Sequence, residues 1–355
     1  MLSSVNTAVS AFSATYGPTL LSQKIIVGLN LLGYGITLAA PQFHYHVDLL
    51  GTGAFAVSTI PTLLQASKLP ARLTLTSAAV AVWSTKLAGY LFYRVLQRGS
   101  DTRMDDVLSS PYYAAGFWIY SAAWGVVCSL PYSIGLSSTV AGSPLLVSAG
   151  LGIFGVGLAV ETMADIQKYQ FKQEQKQQKS STPAFCDKGL WTITQHPNYF
   201  GNFVLWLGIL VANANALYIP PPAATASIWQ KLWGARRLSV ALIGPMFMWN
   251  LFMSQANGTL LGDSFQAQRE KLGYGTNPEY TRYIDGTSGL QASHSFESSS
   301  FVFPISFQYT TVFLCYFTSE HRNSIDHPKS NAVVSRKEWK QEVVIVCRPL
   351  DALPS

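Results

Sequence analysis

SPLLVSAGLGIFGVGLAV, residues 143–160, contains no charged side chain and runs directly into ETMADIQKYQFKQEQKQQK, residues 161–179. The apolar part approaches the roughly 20 residues needed to cross a hydrocarbon layer of about 30 Å. The charged continuation is rich in helix formers and lacks Gly and Pro, so the spacing predicts one helix that leaves the bilayer and enters water. Five further windows carry at most one charge each: 25–40, 47–66 (with Asp48), 112–130, 200–217 and 238–254. A seventh, 73–95, includes Lys86 and Arg94. These runs are longer than the about 10–14 residues of an average soluble helix. Over the whole chain 12% of residues are charged and 48% apolar, against roughly 25% charged in ordinary soluble proteins. The expected fold is all-α, a polytopic transmembrane helical bundle of about seven spans.

Residues 1–20 hold no basic side chain and no long apolar run, so they do not read as a cleavable signal. Residues 1–23 are expected as an N-terminal extension, 24–290 as the membrane-embedded domain and 291–355 as a C-terminal extension. The extension includes one further hydrophobic segment, 301–317, interrupted by Pro304 and Gln308. Four cysteines (Cys128, Cys186, Cys315, Cys347) form no CxxC pair, which argues against a disulfide framework and a zinc site. Seven spans put Lys24, Lys68, Arg72, Lys231, Arg236 and Arg237 on one side, and the more numerous remaining basic residues flanking the spans on the other. The second side is then expected to be cytosolic and the N-terminus lumenal.

Polar groups at span ends are costly in lipid and usually face a water- or ligand-filled site. Three clusters qualify. Glu161, Asp165, Lys168 and Lys172 follow one another at four, three and four residues, one face of the helix. Such a stripe suits a ligand with ribose hydroxyls and phosphates, although spacing alone favours an ordinary solvated face. In QHPNYFGN, residues 195–202, Pro197 suits the first turn of a helix. His196, Asn198 and Tyr199 then gather hydrogen-bond donors at a helix start that attracts anions; a plain cap with an interfacial tyrosine reads equally well. In QRGSDTRMDDV, residues 97–107, Arg98 and Arg103 offer bidentate phosphate contacts, or simple juxtamembrane anchoring. Lys86 lies midway along its span, too far from either end to snorkel, so a paired or inward-facing role is expected. His44 and His46 are expected in a short loop on the side opposite these clusters. Two ligands without a third do not make a metal site, and none is expected.

The order YRVLQRGSDTRMDDV, ETMADIQKYQFK, GLWTITQHPNYFGN, with PEY-x-x-Y at Pro278, Glu279, Tyr280 and Tyr283, resembles the steroid 5-alpha-reductase C-terminal family. It looks closest to that family's branch known as domain of unknown function 1295. The resemblance implies NADPH as cofactor and reduction of a conjugated carbon–carbon double bond in a lipid or steroid substrate. It places Asp165 and Asn198 at cofactor-holding positions, with Lys172 and Arg98 as weaker matches; Arg103 and Lys168, from the same clusters, complete the candidate cofactor contacts. His196 and Tyr199 are the candidate donors to the substrate carbonyl. The chain departs from the steroid reductases at Asn202, where they carry an acid, at Lys86, where they carry a tyrosine, and at Gln195, where an arginine is usual. Asp263 falls near a position usually occupied by glutamate in the uncharacterised branch. A rival reading comes from isoprenylcysteine and phospholipid methyltransferases, which also carry His-Pro, an aromatic residue and a glycine before a membrane helix and bind S-adenosylmethionine. Asp165 and the Arg98 loop favour the reductases. A third reading is a non-catalytic lipid-binding membrane protein. Expected partners include membrane lipids but not nucleic acid, and the expected compartment is the endoplasmic reticulum, with a plastid membrane as the alternative.

Overall fold

The computed structural model describes residues 2–98, 104–177, 185–220, 225–257 and 277–287. Among them the chain is helical: α1 (Leu2–Ala39), α2 (His46–Gly51), α3 (Gly53–Leu63), α4 (Ala71–Arg98), α5 (Asp105–Ser109), α6 (Pro111–Cys128), α7 (Leu130–Ser133), α8 (Pro144–Gln177), α9 (Pro197–Leu217), α10 (Ile228–Asn257) and α11 (Pro278–Gly286). All seven apolar windows fall on helices, and the all-α bundle stands. By length and hydropathy, Thr15–Ala39, Pro144–Gln177 and Pro197–Leu217 are long and apolar enough to cross a membrane. A fourth is formed if Pro111–Cys128 and Leu130–Ser137, bent by 47°, make one broken span. The window at 47–66 carries α2 and α3, with Thr52 between them still in the helical region (φ −76°, ψ −38°), and charges lie within α4. No break separates residues 1–23 from the first span, because α1 is continuous from Leu2. The segments 258–276 and 288–355, including Asp263 and the 301–317 segment, lie outside the described residues, as does Arg103.

The chain forms two compact units, Met1–Phe171 with His196–Asn250, and Lys172–Gln195 with Leu251–Ser355. In the first unit α1 lies antiparallel to α6. Gly33 faces the Trp118 ring and Gly125 faces Ile26, each so closely that a Cβ would overlap its neighbour. Below Gly125 the break in α6 exposes backbone and hydroxyl groups that lipid cannot satisfy. Polar residues of α1 meet them: Thr19 donates to the Ser133 carbonyl at 2.7 Å, and Gln23 donates to the hydroxyls of Ser133 at 2.6 Å and Ser129 at 3.1 Å.

At the same end Arg72, 1% exposed, pins the loop after α7. Its guanidinium donates to the carbonyls of Val140 (3.0 Å), Gly135 (3.3 Å) and Ser138 (2.5 Å) and to the Asn213 side chain. Asn213 passes the network on to Pro131 O at 3.2 Å. Arg72, read from the sequence as a flanking charge, is a structural residue.

Two antiparallel helices, α8 and α9, press together along glycines. Gly150 and Gly157 on α8 meet Gly208 and Gly201 on α9, and a Cβ on any of the four would fall less than 3.0 Å from the other helix's backbone. Without a hydrophobic force between helices in lipid, such close backbone contact is a main source of helix association. Alongside, α4 runs parallel to α8, with Trp83 beside Glu161 and Tyr93 beside Tyr169. The second half of α4, the Glu161–Asp165 turn of α8 and the start of α9 therefore lie together. His44 and His46 lie there too, since Tyr45 packs on Phe92 near the end of α4 with ring centroids 6.4 Å apart. This corrects the expectation that the two histidines sit opposite the clusters: α1 crosses once, so its trailing loop shares the end reached by α4. His46 is buried against Trp118 and bonded to Thr37 at 3.0 Å.

The second unit is held by aromatic contacts. Phe185 packs on Tyr280 and Tyr283 at 5.2 and 4.9 Å. The Tyr283 hydroxyl donates to Trp191 O at 2.8 Å. Asn277 caps α11 through the Glu279 N–H at 2.9 Å. The two tyrosines of PEY-x-x-Y thus dock one helix on the segment that precedes α9.

Replacing Gly157 by Val is expected to cost about 3 kcal/mol by overpacking, read as lowered thermal stability in detergent. Gly152→Ala, on the same helix with nothing within 4 Å of the added Cβ, is expected to leave the melting temperature unchanged.

Candidate functional site

The glycine seam decides which side chains meet. With Gly157 against Gly201, the next turn of α8 brings Glu161 opposite Asn202, and the turn after it brings Asp165 opposite Asn198. Asn202 donates to Glu161 Oε1 at 2.9 Å, and the Asn198 amide hydrogen-bonds the Asp165 side chain. From α4, Trp83 Nε1 donates to Glu161 Oε1 at 3.4 Å. Lys86 Nζ lies 3.5 Å from both Glu161 Oε2 and Asp165 Oδ2. The side chains of Glu161 and Asp165 are only 4% and 12% exposed, and that of Lys86 24%. Two carboxylates and one ammonium are thus buried at the end of the bundle.

The cluster is not saturated. Lys86 Nζ and Glu161 Oε2 are held by ion pairs alone, and Asn198 Oδ1, Asn202 Oδ1 and Trp206 Nε1 are buried without a hydrogen-bond partner among the described residues. Each such atom carries a desolvation cost of about 1–3 kcal/mol. A native protein leaves so many together where a ligand or ordered water completes them. Under the cluster lies an aromatic floor. Trp83 meets Trp206 at 5.2 Å, and Phe55 meets Trp83 at 5.2 Å, Trp206 at 5.6 Å and Trp124 at 5.2 Å.

The sequence-derived candidates divide between this cluster and its surroundings. Asp165 and Asn198 are joined directly. Lys168 is near enough to act on Asp165 electrostatically, and Lys172 is exposed further along α8. His196 is buried at the N-cap of α9, and its ring stacks on Tyr199 at 5.6 Å with an 18° tilt. Arg98 is the last residue of α4. The sequence reading did not identify Glu161 with Asn202, Trp83 and Lys86 as one network. Its signal was nevertheless present: a lone mid-span lysine and two carboxylates four residues apart on another span need one another in lipid. Two of the three departures from the steroid reductase pattern, Lys86 and Asn202, contact Glu161.

Lys86→Met leaves two buried carboxylates without their cation and is expected to destabilise the protein by about 3 kcal/mol. The double variant Lys86→Met/Glu161→Gln is expected to recover part of the loss. Thermal unfolding of the single and double variants in detergent measures this coupling, which strict additivity of the two changes would refute.

A search of curated proteins and a search of solved structures found no match. A family profile matches residues 34–285, a region that contains all three ordered motifs, the cluster and the PEY-x-x-Y helix. The chain belongs to the family described as Protein of unknown function (DUF1295).

Proposed function

We propose that the protein is a membrane-bound reductase that uses NADPH to reduce a carbon–carbon double bond conjugated to a carbonyl in a steroid or other lipid. The observation that supports this most is the Asp165–Asn198 pair, joined across two helix ends with Asn198 Oδ1 still unpaired and buried. Unpaired donors and acceptors side by side suit a ligand that carries both hydroxyl and amide groups. Lys168, close enough to act on Asp165, supplies positive charge of the kind phosphates require, and Lys172, Arg98 and Arg103 are the further candidate cations named by the sequence. NADPH, when bound, supplies the hydride.

The chain's own residues have the remaining work. Asp165 accepts from a ribose hydroxyl and Asn198 fixes the carboxylate's orientation. The Tyr199 phenol or a ring nitrogen of His196 donates a proton to the substrate carbonyl oxygen as negative charge grows there. Their stacking limits the freedom of both rings. The Phe55, Trp83 and Trp206 floor, fully buried, excludes water from beneath the site.

NADPH fluorescence with the purified protein in detergent tests the reading. Binding is expected, without competition from S-adenosylmethionine. Asp165→Ala and Asn198→Ala are each expected to weaken it by about tenfold or more, the loss of one charge-assisted hydrogen bond. Displacement by S-adenosylmethionine would turn the assignment towards a methyltransferase. Binding unchanged in both variants would leave a lipid-binding protein without this cofactor site.

A further inference from the structure

The end of the first unit opposite the charged cluster is built differently. The described residues at this end, within 10–24, 64–72, 129–143, 218–220 and 225–237, include Lys24, Lys68, Arg72, Lys231, Arg236 and Arg237 and no Asp or Glu. Arg72 is buried in the loop network described above, so its charge is used internally. The others are not. Lys24, Lys68 and Lys231 are exposed, and Arg236 and Arg237 are half-buried on the first turns of α10.

Those turns also carry the most exposed tryptophans of the described residues, Trp229 at 76% and Trp233 at 70%. Four residues apart, they share a face. Tryptophan in such numbers at a helix end belongs at the level of lipid headgroups, where an amphipathic ring is stable. Arg236 lies over the Trp233 ring at 4.6 Å, and its Nη1 donates to Trp233 O at 2.6 Å. Arg237 lies over Tyr16 at 5.4 Å and reaches Ser137 O at 3.5 Å, while its Nε is buried without a hydrogen-bond partner. Among the described residues neither guanidinium has a carboxylate paired with it.

We propose that this end is a binding surface for anionic phospholipids, with Trp229 and Trp233 set among the headgroups and Lys231, Arg236 and Arg237 engaging their phosphates. Charge complementarity selects this occupant: an acid-free cationic rim repels other basic surfaces and gains most from a negatively charged leaflet. Cations at an anionic bilayer surface each contribute about fivefold in affinity, and three give a strong preference over zwitterionic lipid. The surface is remote from the Lys86 cluster and stands independently of the reductase reading.

The test is native mass spectrometry of the full-length protein in detergent, titrated with phosphatidylglycerol, phosphatidylcholine or inorganic phosphate. Phosphatidylglycerol is expected to bind at least tenfold more tightly than phosphatidylcholine, and inorganic phosphate to compete weakly or not at all. Lys231→Gln/Arg236→Gln/Arg237→Gln is expected to abolish the preference. Because Arg237 touches other helices, Lys231→Gln/Arg236→Gln serves as a milder variant, expected to reduce the preference by about 25-fold. Equal binding of the two lipids overturns the proposal, as does a preference that survives both variants. Full competition by inorganic phosphate would assign the site to a free anion instead of a lipid.

Discussion

Direct backbone contact between α8 and α9 is the constraint on which the site depends. Four glycines remove the side chains that would otherwise hold two antiparallel helices apart, and in lipid that closeness replaces the hydrophobic force available in water. The contact also fixes register. Because Gly157 meets Gly201, Glu161 can only face Asn202, and Asp165 can only face Asn198. Chemistry at the helix ends is therefore set by packing several turns away.

The cluster that results balances opposing costs. Burying two carboxylates is expensive, and a single ammonium at 3.5 Å from each offsets part of the expense. The asparagines and Trp83 contribute neutral donors, which stabilise the carboxylates without adding charge. If Asn202 were acidic, a third carboxylate would stand beside Glu161 with one lysine to serve all three. Lys86 and Asn202 thus make chemical sense together: a cation from α4 and an amide from α9 hold the same side chain. The oxygens and nitrogens left over are the polar surface that a ligand would meet, and the tryptophans below them close the site to the bilayer interior.

Much of this was legible in the sequence. Charge-free windows gave the helices because a bilayer admits little else, and the i, i+4 and i+3 spacing after Val160 put Glu161 and Asp165 on one face. Pro197 marked the start of α9. The motif order around Arg98, Asp165 and Asn198 pointed to the family that the profile match establishes. What could not be read was anything requiring two helices at once. The interlocking of Gly150 and Gly157 with Gly208 and Gly201 needs the antiparallel register. Arg72 resembles an ordinary flanking charge until the loop after α7 folds over it. The position of His44 and His46 was misjudged, since one crossing by α1 carries them to the far end.

The glycine seam has a mechanical consequence. Two backbones in contact leave no spare volume for sliding or rolling, so α8 and α9 behave as a single stiff strut. α4 joins that strut through side chains: Arg72 on Asn213, Trp83 on Trp206 and Lys86 on the two carboxylates. Access to the buried carboxylates therefore depends on rearranging side chains between α4 and the strut, not on parting α8 from α9.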